Sequence, residues 1–240
     1  MTWFRPENLK FPEIWYSFEA KDPDIGNIVK YRVQDIPEDR FKEVEHLMET
    51  IFNRDEVSCR AIDAVNNQQF NTIRSSIVKI TLSQKISLIC FKEGSDEICG
   101  INLLEILEKE SEEKNFQNPN QVKTDLRKVA DFIKRKADPF NKYNVDKYIS
   151  AVGLIVIPKY RGLNLATEIL KARVPLCRGL GIKLTGTVFT GPASQKAAQK
   201  AGFVNDYEAR YADFEDSEPY VKFPNIACET IKFMTLRIME

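Results

Sequence analysis

The 240-residue sequence has few of the features that define metalloproteins, disulfide-rich proteins and membrane proteins. His46 is its single histidine, so a metal site built on several histidines is excluded. Its cysteines are odd in number and form no CxxC pair, which favours reduced, mostly buried thiols in a cytosolic protein. No apolar run reaches the roughly 18 residues of a membrane span, and prolines and glutamates interrupt any N-terminal signal peptide. We therefore expect neither a metal nor a membrane segment.

The sequence also lacks a net charge, because 35 Lys and Arg balance 35 Asp and Glu. Without an excess of positive charge, no general attraction to nucleic acid or to an anionic membrane is expected. The length is enough for one sizeable core, or for one core with an appendage. We expect a cytoplasmic monomer whose partners are small molecules.

The aromatic residues are unevenly distributed. Both tryptophans, Trp3 and Trp15, lie within residues 1–26. Disordered tails are poor in aromatic residues, so this arm is expected to pack, either on the surface of its own domain or against a partner or substrate cleft. A turn at residues 22–26 separates the arm from a single domain over residues 27–240.

The spacing of apolar residues predicts alternating helices and strands, which favours one α/β domain. In chain order we predict a strand over 29–33, a helix over 37–52 with Asp35 and Glu38 as a capping box, a helix through Ile62, Val65, Ile73, Ile77 and Ile80, strands over 85–92 and 97–107, a solvated loop over 109–120, a helix through Val122, Leu126, Val129 and Ile133 with a basic solvated face, and a last strand over 230–239.

Residues 151–203 are the most informative stretch. They predict a buried strand over 151–157, a turn over 161–166, a helix, a second strand over 183–189 and a further helix that ends at Gly202. A helix that begins directly after a strand gathers unpaired N–H groups at one point, which favours an anion there. Gly162 lets the backbone come close to that anion, and Arg161 adds a positive charge and a forked donor. The turn therefore indicates a phosphate-bearing ligand, with a plain packing joint as the alternative.

Arg161-x-x-Asn164-x-Ala166 resembles the acetyl-CoA loop of the GCN5-related N-acetyltransferases. The pattern in that family is Gln or Arg, two residues, Gly, one residue, then Gly or Ala; Lys200-Ala201-Gly202-Phe203 resembles the end of its last helix. Asn164 replaces the usual Gly, and Asn tolerates the left-handed conformation that the turn needs. The resemblance implies a mixed, mostly antiparallel sheet with a V-shaped splay between two parallel strands and helices on both faces. It also implies acetyl-CoA as cosubstrate, held by Leu154, Ile155, Val156, Arg161, Gly162, Leu163, Asn164, Leu165, Ala166 and Ser194.

Asp55-Glu56 resembles the first half of the Asp-Glu-Pro-Leu motif of insect arylalkylamine N-acetyltransferases. The resemblance implies that Glu56 is the general base, while a solvated turn is the alternative for this segment. Val57 departs from the motif. Thr190 and Ser194 stand where the insect enzymes carry two serines, and Ala198 stands where other members carry a tyrosine acid. The pair implies thiol binding or proton relay, with helix-start bonding as the alternative for Ser194.

The function that this resemblance implies is acetyl transfer to a small primary amine. A base must remove a proton before the amine can attack, because alkylammonium groups have a pKa of about 10. Backbone N–H groups around Leu154 to Val156 are expected to stabilise the charge that develops on the thioester oxygen. The leading acceptor class is an arylalkylamine. The alternatives are agmatine, polyamine or amino-acid amines, or a module that binds CoA with little turnover.

Overall fold

The computed structural model describes residues 3–117 and 124–239, and its central feature is one eight-stranded sheet. The strands are β1 (Ile14–Lys21), β2 (Ile28–Asp35), β3 (Leu88–Lys92), β4 (Ile98–Glu108), β5 (Lys147–Val156), β6 (Leu184–Phe189), β7 (Val204–Arg210) and β8 (Thr230–Arg237). Their order across the sheet is β1-β2-β3-β4-β5-β6-β8-β7. Neighbouring strands are antiparallel except β5 and β6, which are parallel, so the predicted mixed sheet is confirmed.

Helices cover both faces of this sheet. They are α1 (Phe41–Leu47), α2 (Asn53–Asp55), α3 (Val57–Ala61), α4 (Gln68–Ser83), α5 (Lys109–Gln117), α6 (Asp125–Ala137), α7 (Pro139–Tyr143), α8 (Leu165–Lys171), α9 (Arg173–Gly179) and α10 (Pro192–Lys200). On one face, Ile169 of α8 and Leu176 of α9 pack in the cluster that contains Val33 and Leu88. On the other face, α1 and α4 bury Val44, Val78 and Leu82 against a second cluster. The strands of the site therefore lie between two helical layers.

The parallel strands β5 and β6 stay paired over a very short distance. Their one register pair is Ile149 with Thr185, and the Thr187 hydroxyl then bridges to Ala151 O at 3.1 Å. On its other side β5 remains paired with β4 as far as Val156. The two strands therefore part after Ala151 and leave an open wedge, the splay that the resemblance implies.

The predicted first helix is longer and more irregular than expected. A turn of 3-10 helix over Glu38–Arg40 leads into α1, five π-helical residues (Met48–Phe52) and then α2. Asp35 does not cap it, so the predicted capping box is wrong. Its buried carboxylate instead accepts from Trp15 Nε1 at 2.7 Å and pairs with Arg5 at 3.0 Å. The Asp35 carboxylate therefore bonds side chains of the N-terminal segment and does not accept from the N–H groups of the helix.

The predicted arm packs on its own domain. Its residues 14–21 form β1, which pairs antiparallel with β2. Trp15 lies against α9 at Gly179, where a Cβ atom would come within 2.6 Å of the indole ring. This contact is consistent with the surface-packing interpretation, while the division of the chain at residue 26 stays a prediction.

Three other segments differ from the prediction. Residues 109–117 form α5 instead of a solvated loop, because Glu112 is buried and pairs with Lys134 at 2.8 Å. Lys134 is correspondingly buried and does not belong to a solvated basic face. The helix predicted from Ile62 begins only at Gln68, and β7 was not predicted. The predicted positions 118–120 and Val122 lie outside the described residues.

Candidate active site

A cleft of about 600 Å³ occupies the wedge between β5 and β6. It is bordered by the break between α2 and α3, the edge of β5, the loop before α8 and the start of α10. Every predicted site residue except Leu163 lines it: Glu56, Leu154, Ile155, Val156, Arg161, Gly162, Asn164, Leu165, Ala166, Thr190 and Ser194. Leu163 instead packs against the hydrophobic core beneath the loop. Segments that are far apart in sequence thus meet at one opening.

The loop before α8 has the conformation that the sequence predicts. Gly162 and Asn164 both adopt left-handed backbone, with φ of 81° and 66°. Asn164 is the residue from which α8 starts, and its carbonyl accepts from Thr167 N at 3.0 Å. Within the described residues, no protein acceptor takes the backbone N–H groups from Gly162 to Ala166. A set of backbone N–H donors without protein acceptors therefore borders the cleft.

Arg161 is held at the mouth of the cleft by two contacts. Its Nε donates to Val156 O at 3.0 Å, and its Nη2 bonds an oxygen of Asp55 at 2.6 Å. The neighbouring Arg54 and Arg161 guanidinium groups lower the pKa of the Asp55 carboxyl to about 2. Asp55 is therefore a carboxylate at neutral pH, and it orients the Arg161 guanidinium beside the loop before α8.

Glu56 lies at the break between α2 and α3. Its backbone is extended, with ψ of 132°, and its carboxylate accepts from Ser58 N at 3.1 Å and from Cys59 N at 2.7 Å. Glu56 is consequently the N-cap of α3, so this segment is a capped helix start and not the solvated turn that was the alternative. Its half-buried side chain lines both the cleft and an adjoining cavity of about 200 Å³. A carboxylate has about four lone-pair sites, so sites remain beyond the two used for capping.

Thr190 and Ser194 lie opposite Glu56, at the end of β6 and the start of α10. Ser194 Oγ donates to Gly191 O at 2.9 Å, which is the helix-start bonding that the sequence leaves open. Tyr211 connects the two sides of the site, since its hydroxyl donates to Thr190 O and shares a bond with Ser58 Oγ, both at 2.8 Å. Burial raises the pKa of the Tyr211 phenol, so it stays neutral.

Several residues of the site were not predicted. Lys196 and Lys200 are one turn apart on α10 and line the cleft, and their spacing of four residues is the signal that was available. Tyr211 had no local signal, because its partner Ser58 is 153 positions away. Over residues 3–117 and 124–239, no group of three or more His, Cys, Asp and Glu residues is arranged to hold a metal. Among the helices of these residues, none has the length and apolar character of a membrane span.

Comparison with known proteins identifies relatives by structure. No family model matches the chain, and no curated protein matches it. A putative arylalkylamine N-acetyltransferase 7 from the mosquito Aedes aegypti is 37% identical, covering 99% of this chain and 100% of its own, with a TM-score of 0.91. Arylalkylamine N-acetyltransferase 2 from the same mosquito is 22% identical over 87% of this chain and 99% of its own, with a TM-score of 0.72. A polyamine N-acetyltransferase of Drosophila melanogaster shares the fold at 15% identity over 87% of this chain and 100% of its own, with a TM-score of 0.67.

The wedge, the donor-lined loop and the full-length relative agree with one another. The chain belongs to the GCN5-related N-acetyltransferase superfamily, in its insect arylalkylamine N-acetyltransferase-like branch, and is an acyltransferase.

Proposed function

We propose that the chain transfers the acetyl group of acetyl-CoA to a small primary amine, with an arylalkylamine as the leading acceptor class. The transfer is a direct attack within a ternary complex, and Glu56 is the general base. The observation that carries this proposal is that Glu56, the edge of β5 and the Arg161 loop all line one cleft.

The residues of the loop fit the phosphates of CoA. The free N–H groups from Gly162 to Ala166 form a concave set of donors, and Arg161 supplies a cation beside them. Lys196 and Lys200 add two further positive charges along the opposite wall. When bound, acetyl-CoA supplies a thioester and a thiolate leaving group, whose ordinary thiol pKa of about 8.5 makes a strong acid unnecessary.

The edge of β5 has donors available for the thioester oxygen. Ile157 N donates to Cys99 O at 3.0 Å. Because directions alternate along an antiparallel ladder, the N–H groups of Leu154 and Val156 turn away from β4 and into the wedge. Fixed backbone donors of this kind stabilise negative charge as it develops on an oxygen.

Glu56 faces the place where the amine would enter. It accepts the proton that the amine loses, directly or through water, as the N–C bond forms and the thioester C–S bond breaks. Ala198 occupies the position where other members carry a tyrosine acid, so this position supplies no acid. Thr190 and Ser194 supply hydroxyls on the facing wall, where they bind the thiol or relay a proton.

A thiol-release assay over a panel of amines, together with calorimetric titration of CoA, tests this function. We expect CoA to bind and phenethylamine, tryptamine or dopamine to be acetylated faster than agmatine or spermidine. Turnover of agmatine alone would favour the polyamine alternative. Tight CoA binding without turnover of any amine would leave a CoA-binding module, and failure to bind CoA would refute the proposal.

A further inference from the structure

The cavity of about 200 Å³ beside Glu56 has an unusual set of charges. It lies on the far side of Glu56 from the acetyl-CoA loop and shares Thr190 and Ser194 with the cleft, so under the proposed function it receives the acceptor. Two arginines line it, Arg74 and Arg173, against the single carboxylate of Glu56. An incoming alkylammonium group would add a further positive charge at neutral pH.

Arg74 extends from α4 into this cavity. Its Nη2 donates to Val152 O at 2.9 Å, and its guanidinium carbon lies 4.7 Å from the centre of the Phe52 ring. Arg74 forms no ion pair within the described part of the chain, and its buried Nε has no hydrogen-bond acceptor. Burial lowers the pKa of the Arg74 guanidinium, against the opposing charges of Glu56 and Glu105. Arg74 is thus a half-buried cation whose Nε is buried and unsatisfied and which has no contacting carboxylate.

Arg173 is a second uncompensated cation. It is fully buried and bonds only neutral oxygens, Asn102 Oδ1 at 2.8 Å and Thr185 Oγ1 at 3.2 Å. Its Nη2 has no hydrogen-bond acceptor within the described residues. Burial lowers the pKa of Arg173 to about 9, which still leaves it protonated at neutral pH. A buried charge without a counter-ion is costly, and a ligand that brings the opposite charge removes that cost.

Glu105 is the other carboxylate near Arg74. It lines a neighbouring cavity of about 120 Å³, into which Arg74 also projects. Burial raises the pKa of Glu105, whereas Arg127 and Lys134 on the same wall act in the opposite direction. Arg127 and Lys134 themselves pair with Glu112 and Asp131. Glu105 makes no contact ion pair with Arg74 within the described residues, so Arg74 lacks a direct counter-ion.

We propose that the acceptor is a primary amine that also carries an anionic group, such as a carboxylate, which Arg74 binds while the amine faces Glu56. This inference rests on the proposed function and narrows its substrate class. The positive charge of the cavity disfavours diamines, because their second ammonium group would meet Arg74. Arg74 is therefore a specificity-determining residue, and Arg173 strengthens the same field from the base of the wedge.

Two matched substrate series test the inference. One contains phenethylamine, its para-carboxylate and its para-aminomethyl derivative; the other contains pentylamine, δ-aminovalerate and cadaverine, which reach a different distance. In at least one series we expect the carboxylate to exceed the neutral amine in kcat/KM by about ten- to hundredfold, the usual range for a hydrogen bond to a charged group. The diamine should be the poorest substrate.

Variants of Arg74 separate recognition from folding. Arg74→Gln keeps a donor for Val152 O but removes the charge, so the ratio between carboxylate and neutral amine should fall to about one. Arg74→Lys should retain most of the preference. Arg210→Gln, at an exposed position on β7 that lines neither cavity, is the matched control and should leave the ratio unchanged.

The parent protein can refute the inference without refuting the proposed function. If it prefers the neutral amine or the diamine in both series, or if Arg74→Gln folds and keeps the parent ratio, the inference is wrong although acetyl transfer stands. If nothing is acetylated, calorimetry on the CoA-bound protein still decides the matter. Tighter binding of the carboxylates that is lost in Arg74→Gln supports the inference, and equal binding refutes it.

Discussion

Replacing Glu56 with glutamine should separate its catalytic role from its structural one. The carboxylate accepts two backbone bonds, from Ser58 N at 3.1 Å and Cys59 N at 2.7 Å. An amide keeps one oxygen acceptor and presents an NH2 donor in place of the other, so one of these bonds is lost. Loss of an N-cap hydrogen bond costs about 0.5–2 kcal/mol. In a domain of this size, that corresponds to a fall in Tm of about 1–8 °C.

The kinetic effect should be far larger than this structural one. Loss of a general base lowers kcat by about 10²–10⁴, equivalent to about 3–5 kcal/mol in the activation barrier. The activity that remains should rise with pH, because the fraction of unprotonated amine increases. The assay is thiol release at saturating acetyl-CoA and amine across a pH series, with Tm measured on the same samples.

The matched control for Glu56→Gln is Asn67→Ala. Asn67 is an exposed residue that caps α4 through a 2.9 Å bond to Phe70 N, and it lies outside the cleft. Its loss should cost about 0.5–2 kcal/mol of stability while kcat stays near the parent value. If Glu56→Gln matches the parent in kcat at both ends of the pH series, or loses no more activity than Asn67→Ala, then Glu56 is not the base.

Three further predictions concern the loop before α8 and Asp55, which bonds Arg161 of that loop. Arg161→Ala should raise the Kd for CoA in calorimetry by more than it lowers kcat at saturation, and an unchanged Kd would contradict its role. Asn164→Ala should lower the free energy of unfolding in urea by about 1–2 kcal/mol, because φ at this position is 66° and alanine disfavours that conformation. Asn164→Gly should be tolerated. Equal losses of unfolding free energy in the two variants would mean that the conformation is unstrained. Asp55 has a folded pKa of about 2, below its ordinary value of about 3.9, so it stabilises the protein above that value and loses this contribution as the pH falls toward 2. The difference in unfolding free energy between the parent and Asp55→Asn should therefore shrink from about pH 6 to pH 3; a constant difference would show that the ion pairs contribute nothing.

The loop before α8 was predictable because the residues that determine its conformation are close together in the sequence. An apolar strand, Pro158, a glycine and an arginine stand within a dozen positions, and the backbone follows from their individual preferences. Arg74 had no such signal. It reaches the cavity because the sheet brings Val152, 78 positions away, beside α4. The role proposed for it depends on a buried Nε without an acceptor, which only the packed structure defines.

Asp35 shows the opposite case, in which distant contacts prevent a locally favoured capping box from forming. An aspartate three residues before a glutamate is a good capping box. In the folded chain Trp15 and Arg5 of the N-terminal segment bond the same carboxylate, so its oxygens are already engaged. Local propensity decides a position only where no distant group competes for it.

Glu56 follows Asp55 at the end of α2, and carboxylates at the end of a helix meet the negative end of its dipole. The structure shows that Glu56 also begins α3, where its carboxylate accepts two N–H groups. Its placement is therefore stabilising by itself, and stability alone would account for a carboxylate here. Catalysis requires access in addition: the capped side chain still lines both the cleft and the acceptor cavity, and a cap that served α3 alone would not need to face either.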